Sequence, residues 1–361
     1  MKKFIALFLV VVMLGISTVA CSVSEPASTS SEGLETKDTK DSTVVDPSKE
    51  ADQKDYSKGF TIGYLGWNLG HAWNIGTFEG LQYGADMMNC EVIKMDAATD
   101  AQMQLVQAEE LINRGVDCIA LYPVSVESGA TIVKLCNEAG IPVSVENSFL
   151  DDSVGEFVGQ VACLYNEIGY AAVKWAAENI PDTKFLYVSG AYGQGVTEVY
   201  EIGVYEAIEE FGVELVDQLV IEHWTIEDAF NVTSSFIQGG GDFNVVFAQD
   251  DAIAKGVYQA LGDAGLDCAV ISTGGSSDGY LSLEVGETTA NMTAPAHLQG
   301  LIQFGMLWAY MNGETWGEDR ISLPVIPIDA TNFDEWLKWD DMEGGYAYVS
   351  KAIGPYTPGR N

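Results

Sequence analysis

Strand and helix patterns alternate without a break from residue 60 to residue 273. Short apolar runs, typical of buried strands, are followed by segments whose apolar residues recur at the spacing of amphipathic helices. Glycine follows several of these segments, as at Gly115, Gly140 and Gly265, where it can end a helix in the left-handed conformation at no steric cost. The alternation predicts an α/β fold with a doubly wound parallel sheet covered on both faces.

The individual elements can be assigned from these runs. The predicted strands are Thr61–Leu65, Glu91–Met95, Cys118–Leu121, Pro142–Val145, Phe157–Val161, Lys184–Val188, Glu214–Val220, Val245–Ala248 and Val270–Thr273. The predicted helices are Trp73–Met88, Ala101–Arg114, Ser125–Ala139, Glu167–Asn179, Gly195–Phe211, Ile226–Ile237 and Ala252–Ala264. No strand or helix is predicted after Thr273.

The same outline occurs twice along the chain. Lys184–Val216 repeats the order of Phe60–Ile93, namely strand, glycine-bearing loop, amphipathic helix, glycine and strand, and Val116–Val143 matches Phe243–Ile271 in a similar way. A chain of 361 residues is long enough for two domains. We therefore expect two similar lobes with a cleft between them, a common place for ligands.

The loop after the first predicted strand carries hydrogen-bonding side chains beside a large ring. Asn68, His71, Trp73 and Asn74 lie where the chain leaves the carboxyl end of that strand. In open α/β sheets, ligands bind at this end of the strands. We interpret these residues as one wall of a small-molecule cleft. Core packing is the alternative role for Trp73, and an incidental surface position is the alternative for His71.

Charge argues against nucleic acid as a partner. The chain has 53 acidic and 17 basic residues and a formal net charge of -36. Such a surface repels phosphate backbones, so binding to nucleic acid by general electrostatics is not expected.

The N-terminus has the pattern of an export signal. Lys2 and Lys3 precede the apolar run Phe4–Ile16, and small residues precede Cys21. The pattern resembles a bacterial lipoprotein signal, which implies a signal peptide over residues 1–21 with lipid carried by Cys21; an ordinary cut after Ala20 is the alternative. Residues 22–58 are polar and are predicted to be a disordered tether. We therefore expect an extracytoplasmic protein anchored to the cell membrane.

Few side chains suit metal binding or catalysis. The remaining cysteines, beside or within apolar runs, are Cys90, Cys118, Cys136, Cys163 and Cys268. Buried thiols are expected for them, with one disulfide as the alternative. No Cys-x-x-Cys or Cys/His cluster, G-x-S-x-G, H-E-x-x-H or P-loop occurs, and the chain has 3 histidines. The sequence predicts a protein that is not an enzyme and has no metal or cofactor.

The order of these features resembles the type I periplasmic sugar-binding proteins, the ribose- and galactose-binding group of ABC transporter receptors. The resemblance covers about residues 60–328 and is most specific at AGIPV, residues 139–143, and FAQDD, residues 247–251, with its helix. It implies two lobes joined by a three-strand hinge, lobe 1 from residues 59–163 and 294–327 and lobe 2 from residues 164–293 and 328–361. It also implies capture of a ligand by hinge closure and delivery to an ABC permease.

The resemblance implies further ligand-binding positions after other strands. Tyr122 follows the third strand, and Glu146 and Asn147 follow the fourth, while Trp224 and Asp250 belong to the second lobe. A carboxylate can accept two hydroxyl groups, and an indole can cover the apolar face of a sugar ring. The alternative roles are packing for Trp224, a structural strand-end acid for Glu146 and helix capping for Asp250.

The sequence departs from the ribose-type pattern at several positions. Gly274 stands where that pattern has an acid, and Ala294 stands where it has glutamine. The arginine positions hold Asn147, Tyr200 and Ile226. With fewer fixed polar groups, the expected ligand is larger or less hydroxylated than a simple pentose.

These features together predict a solute-binding lipoprotein whose small polar ligand is in the first place a carbohydrate. Two alternatives stay open from the sequence. One is a ligand-sensing partner of a membrane kinase or chemoreceptor. The other is a receptor for a nucleoside, a signalling furanone, a cationic ligand or another solute that is not a sugar.

Overall fold

The structure, a computed structural model, describes residues 56–355. The predicted signal peptide with Cys21, and the predicted tether as far as residue 55, lie outside the described residues. Tyr56–Lys58, the last part of the predicted tether, forms one turn of 3₁₀-helix. Within residues 56–355, no helix has the length and apolar character needed to cross a membrane.

Strands and helices alternate as the sequence predicts. The strands are β1 (Thr61–Gly66), β2 (Glu91–Asp96), β3 (Cys118–Leu121), β4 (Val143–Glu146), β5 (Gly159–Cys163), β6 (Lys184–Ser189), β7 (Glu214–Val220), β8 (Val245–Ala248), β9 (Ala269–Gly274), β10 (Ala290–Thr293), β11 (Arg320–Leu323) and β12 (Ile326–Asp329). The helices are α1 (Ala72–Met87), α2 (Ala101–Arg114), α3 (Val126–Ala139), α4 (Tyr165–Asn179), α5 (Thr197–Phe211), α6 (Ile226–Gln238), α7 (Asp251–Ala264), α8 (Ser277–Glu284), α9 (Ala296–Met311) and α10 (Met342–Ala352).

The strands of the described part form two six-stranded sheets. The first has the order β11-β5-β4-β3-β1-β2, and the second has the order β12-β10-β9-β8-β6-β7. All pairings are parallel except that between β10 and β12, which is antiparallel. The predicted class, two α/β lobes of similar architecture, is therefore confirmed, with one antiparallel edge strand in the second lobe.

The chain passes between the two sheets three times. The crossings lie at residue 164, at residues 294–295 and at residues 324–325, after β5, β10 and β11. The residue bounds assigned to the lobes from the sequence stay a prediction. Towards the C-terminus, Trp336 packs in the second lobe with Leu283 and Ile328. Helix α10 instead packs against α9, which lies on α1 and the first sheet.

Glycines allow pairs of helices to approach closely. A Cβ atom built on Gly300 of α9 would lie 1.8 Å from the carbonyl oxygen of Thr77 in α1. A Cβ atom on Gly203 of α5 would lie 1.7 Å from the carbonyl oxygen of Asn166 in α4. The α1–α9 contact lies in the second and third turns of α1, just after the aromatic loop that precedes this helix.

The five cysteines of the described part are free thiols. Four of them are buried, and Cys268 is partly buried. They pack as small apolar side chains in the lobes, as the sequence predicts.

Candidate functional site

A cavity lies between the lobes, at the carboxyl ends of the strands of both sheets. Its empty space is about 390 Å³ including open solvent. The lining residues are Trp67, His71, Trp73, Tyr122, Asn147, Tyr165, Gln194, Val196, Tyr200, Trp224, Gln249, Asp250, Thr273 and Gly274. Six of the lining residues are aromatic, and none is lysine or arginine.

Contacts across the cavity show that the lobes are closed in this structure. The Ser148 hydroxyl donates a hydrogen bond to the Gln194 carbonyl oxygen, at 3.0 Å. His71 Nε2 lies 3.2 Å from Asp250 Oδ2, although its N–H is not aligned for a hydrogen bond. Each contact joins a residue after a strand of the first sheet to one after a strand of the second.

His71 is held in one orientation by the start of α1. Its Nδ1 accepts a hydrogen bond from the Trp73 backbone N–H, at 3.3 Å, so it caps the helix. Since Nδ1 is an acceptor, the proton of the neutral ring lies on Nε2. Trp67 packs edge-on against the His71 ring and stacks with Tyr122. The first loop thus supplies three of the cavity-lining side chains, Trp67, His71 and Trp73.

Asp250 both caps a helix and faces the cavity. Its Oδ1 accepts a hydrogen bond from the Ile253 N–H at 2.6 Å, which caps α7. Its Oδ2 points to His71 across the cleft. Helix capping therefore uses one oxygen of the carboxylate, and the other oxygen faces the cavity, where the sequence predicts ligand binding.

Asn147 lies where the chain leaves β4. Its backbone is in the left-handed region, with φ of 68°, a conformation that asparagine adopts more readily than most residues. Its Oδ1 accepts a hydrogen bond from the Tyr165 hydroxyl, so its amide N–H groups are left as donors at the cavity.

Asn74 and Glu146 lie behind the cavity wall and do not line it. Asn74 donates to the Tyr64 hydroxyl at 2.6 Å, and Tyr64 donates to Glu146 Oε1 at 2.8 Å. Burial raises the pKa of Glu146 to about 8, so the carboxyl is mostly neutral at pH 7. Asn74 also accepts from the Asn68 N–H, at 2.8 Å. Asn74 and Glu146 thus belong to a hydrogen-bond network that connects the first loop to β1 and β4.

The cleft continues on both sides of the cavity. One side, which we call the outer chamber, is lined by residues including Thr225, Lys255, Ser276, Asp278 and Trp339, and its empty space is about 720 Å³ including open solvent. The other side, which we call the mouth, is lined by residues including Asn68, Ser125, Tyr192, Glu222 and His223. His71 and Trp224 line all three spaces, and so they separate the cavity from its two openings.

The structure therefore brings together most of the residues singled out in the sequence. His71, Trp73, Tyr122, Asn147, Trp224 and Asp250 line the cavity, and Asn68 lines the mouth. The sequence reasoning did not select Trp67, Tyr165, Gln194, Val196, Tyr200, Gln249, Thr273 and Gly274. Four of these gave a signal: Trp67 lies in the first loop, Gln249 belongs to the FAQDD segment, and Tyr200 and Gly274 stand where the ribose-type pattern has an arginine and an acid. No cluster of His, Cys, Asp and Glu able to hold a metal ion occurs among residues 56–355.

Comparison with known families matches residues 62–315 of the chain to the periplasmic binding protein domain. The chain belongs to this family. This periplasmic binding protein is similar to the ribose import binding protein of Bacillus subtilis (strain 168), with 25% identity over 248 residues, 67% of this chain and 79% of the relative. It is also similar to the D-xylose-binding periplasmic protein of Escherichia coli (strain K12), with 22% identity, 59% of this chain and 66% of the relative.

Solved structures share the fold. An ABC transporter solute-binding protein from Bacillus halodurans C-125, with bound myo-inositol, matches 78% of this chain and 97% of its own, with a TM-score of 0.70 and 22% identity. At that identity the match shows the two-lobed fold. The family confirms that the fold and the class of protein indicated by the sequence are correct.

Proposed function

We propose that this periplasmic binding protein captures a small polar solute of carbohydrate chemistry outside the cell and delivers it to an ABC permease. The observation that supports this most is the closed cavity between two matching lobes, lined by side chains from both. A solute that touches both lobes stabilises the closed form over the open one. The closed form is then the shape presented to the permease.

The relatives support the choice of carbohydrate. The two named above are described as binding ribose and D-xylose. In this chain, aromatic faces from Trp67, Trp73 and Trp224 could cover the apolar face of a ring, and Asp250 could accept hydroxyl groups. Asn74 and Glu146 are left out of the proposed ligand contacts. The other residues selected from the sequence are proposed to contact the ligand, namely Asn68, His71, Trp73, Tyr122, Asn147, Trp224 and Asp250.

The proposal includes attachment to the membrane through a lipid on Cys21. The support comes from the sequence alone, since Lys2, Lys3 and the apolar run before Cys21 have the order of an export signal. The polar residues 22–58 would let the folded body reach a permease while it remains anchored.

A thermal-shift screen of the purified protein tests the capture of a solute. Ribose, D-xylose, arabinose, myo-inositol and nucleosides are added at concentrations from micromolar to millimolar. A ligand at about 100 times its Kd stabilises the folded state by about 2.7 kcal/mol, so we expect at least one of these compounds to raise the melting temperature by several degrees. An unchanged melting temperature with every compound would oppose the proposed function.

A further inference from the structure

Several hydrogen-bond donors of the cavity have no partner in the described part of the chain. Trp73 Nε1 and Gln194 Nε2 are buried and have no hydrogen-bond partner among the described residues. Asn147 offers its amide N–H groups, because its oxygen is used by Tyr165. The N–H on His71 Nε2 faces Asp250 Oδ2 at 3.2 Å, where the two residues meet at the edge of the cavity. A buried donor without a partner costs free energy, so a ligand that supplies acceptors here gains binding free energy.

Two of the polar lining side chains are already used within the second lobe. The Gln249 oxygen already accepts from Tyr187 at 2.8 Å and from the Gly190 N–H at 3.0 Å. The Thr273 hydroxyl donates to the Met292 carbonyl oxygen at 2.6 Å. Asp250 is the one carboxylate lining the cavity within the described part of the chain. A ligand that offers acceptor atoms therefore suits the unpartnered donors of the lining.

The rings of the cavity favour a ligand with flat apolar faces. Three tryptophans and three tyrosines line it, and aromatic rings stack well on other flat rings. No lysine or arginine lines the cavity, so it has no cation to pair with an anionic group. A flat, uncharged ring can stack on the aromatic side chains, and acceptor atoms at its edge can pair with the unpartnered donors Trp73 Nε1 and Gln194 Nε2.

The outer chamber suits a hydroxylated group joined to such a ring. It meets the cavity at His71, Trp73, Trp224 and Asp250. Lys255 and Asp278 lie in it without a hydrogen bond or ion pair inside residues 56–355. Lys255 can donate a hydrogen bond to a hydroxyl group of the ligand, and Asp278 can accept one.

We infer that the captured solute is a nucleoside, with its base among the aromatic rings of the cavity and its sugar at the outer chamber. The inference rests on the proposed function, because it specifies the solute of the same site. Trp73 and Gln194 donate to acceptor atoms at the edge of the base. Asp250 accepts from the base or from a sugar hydroxyl at the boundary between the two spaces.

Calorimetry on the purified protein tests the inference with uridine, adenosine and inosine, their free bases, and ribose, D-xylose and myo-inositol. We expect at least one nucleoside to bind ten or more times more tightly than its free base and than ribose. Trp73→Phe keeps a ring and removes the indole N–H, and it should weaken nucleoside binding about tenfold. Trp175→Phe is the matched control, because the Trp175 indole donates to Asp329 in the second lobe and not to the cavity.

The other outcomes separate this inference from the proposed function. Tight binding of a free sugar or polyol without nucleoside binding would overturn the nucleoside and leave solute capture intact. Nucleoside binding that Trp73→Phe leaves unchanged would overturn the placement of the base. Binding of neither kind of compound would count against the inference and the proposed function together.

Discussion

Gly300→Ala is expected to lower the free energy of unfolding by about 3 kcal/mol or more. The added methyl group would lie 1.8 Å from the carbonyl oxygen of Thr77 and 2.6 Å from the backbone nitrogen of Leu81. Both atoms belong to the backbone of α1, so no side chain can rotate away. Helices α1 and α9 must then separate, and the buried surface between them loses its close packing. Urea unfolding followed by circular dichroism measures the loss.

Gly262→Ala is the matched control for this change. Gly262 lies within α7, and a Cβ atom there would meet nothing within 4 Å. Alanine has the higher helix propensity, so this variant should be more stable by about 0.5–1 kcal/mol. Equal stabilities for Gly300→Ala and Gly262→Ala would show that α1 and α9 do not pack as closely as described.

Trp224→Ala is expected to weaken binding of the captured solute by about 2 kcal/mol or more, which corresponds to about 30-fold in Kd. The Trp224 side chain lines the cavity, the outer chamber and the mouth. Its removal takes away a stacking surface and opens the cavity to water at the same time. Calorimetry with the solute identified by the screen gives the change in Kd.

Tyr258→Ala is the control for loss of an aromatic side chain from the second lobe. Tyr258 is 40% exposed on α7 and lines a surface depression away from the cleft. Its removal should leave Kd unchanged. If Trp224→Ala also bound the solute with unchanged Kd, Trp224 would be a packing residue and no part of the ligand site.

The sequence predicts the lobes well as far as residue 273. Every strand and helix assigned there is present, with ends displaced by no more than two residues. These elements follow simple patterns, because strands buried on both faces are short apolar runs and surface helices have one apolar stripe. Caps such as Asp100 and Ser125 mark the first residues of α2 and α3.

The elements after residue 273 lack those patterns. In α9, residues 296–309 are all buried, so the helix has no polar face and no amphipathic period. The strands β10, β11 and β12 include Asn291, Arg320 and Asp329, so they lack the continuous apolar run of the equally short β3 and β8. The pairing of β12 with β10 and of β11 with β5 joins distant parts of the chain, and local sequence carries little information on such pairs.

Part of the candidate site could be predicted from the sequence, because the loops that follow the strands could be located. His71, Trp73 and Asp250 were found in this way. Whether a side chain there faces the cavity or the core depends on packing, and Asn74 and Glu146 turn inward to Tyr64. Tyr165 comes from the first turn of α4, where nothing in the sequence distinguishes it from an ordinary helix residue.

The central claim is that two lobes close over a bound solute. Small-angle X-ray scattering of the purified protein, with and without a saturating solute, measures this most directly. We expect the solute to reduce the radius of gyration, and the described closed structure to fit the data with solute better than the data without it. Identical curves in both states, for a solute that calorimetry shows to be bound, would contradict the claim.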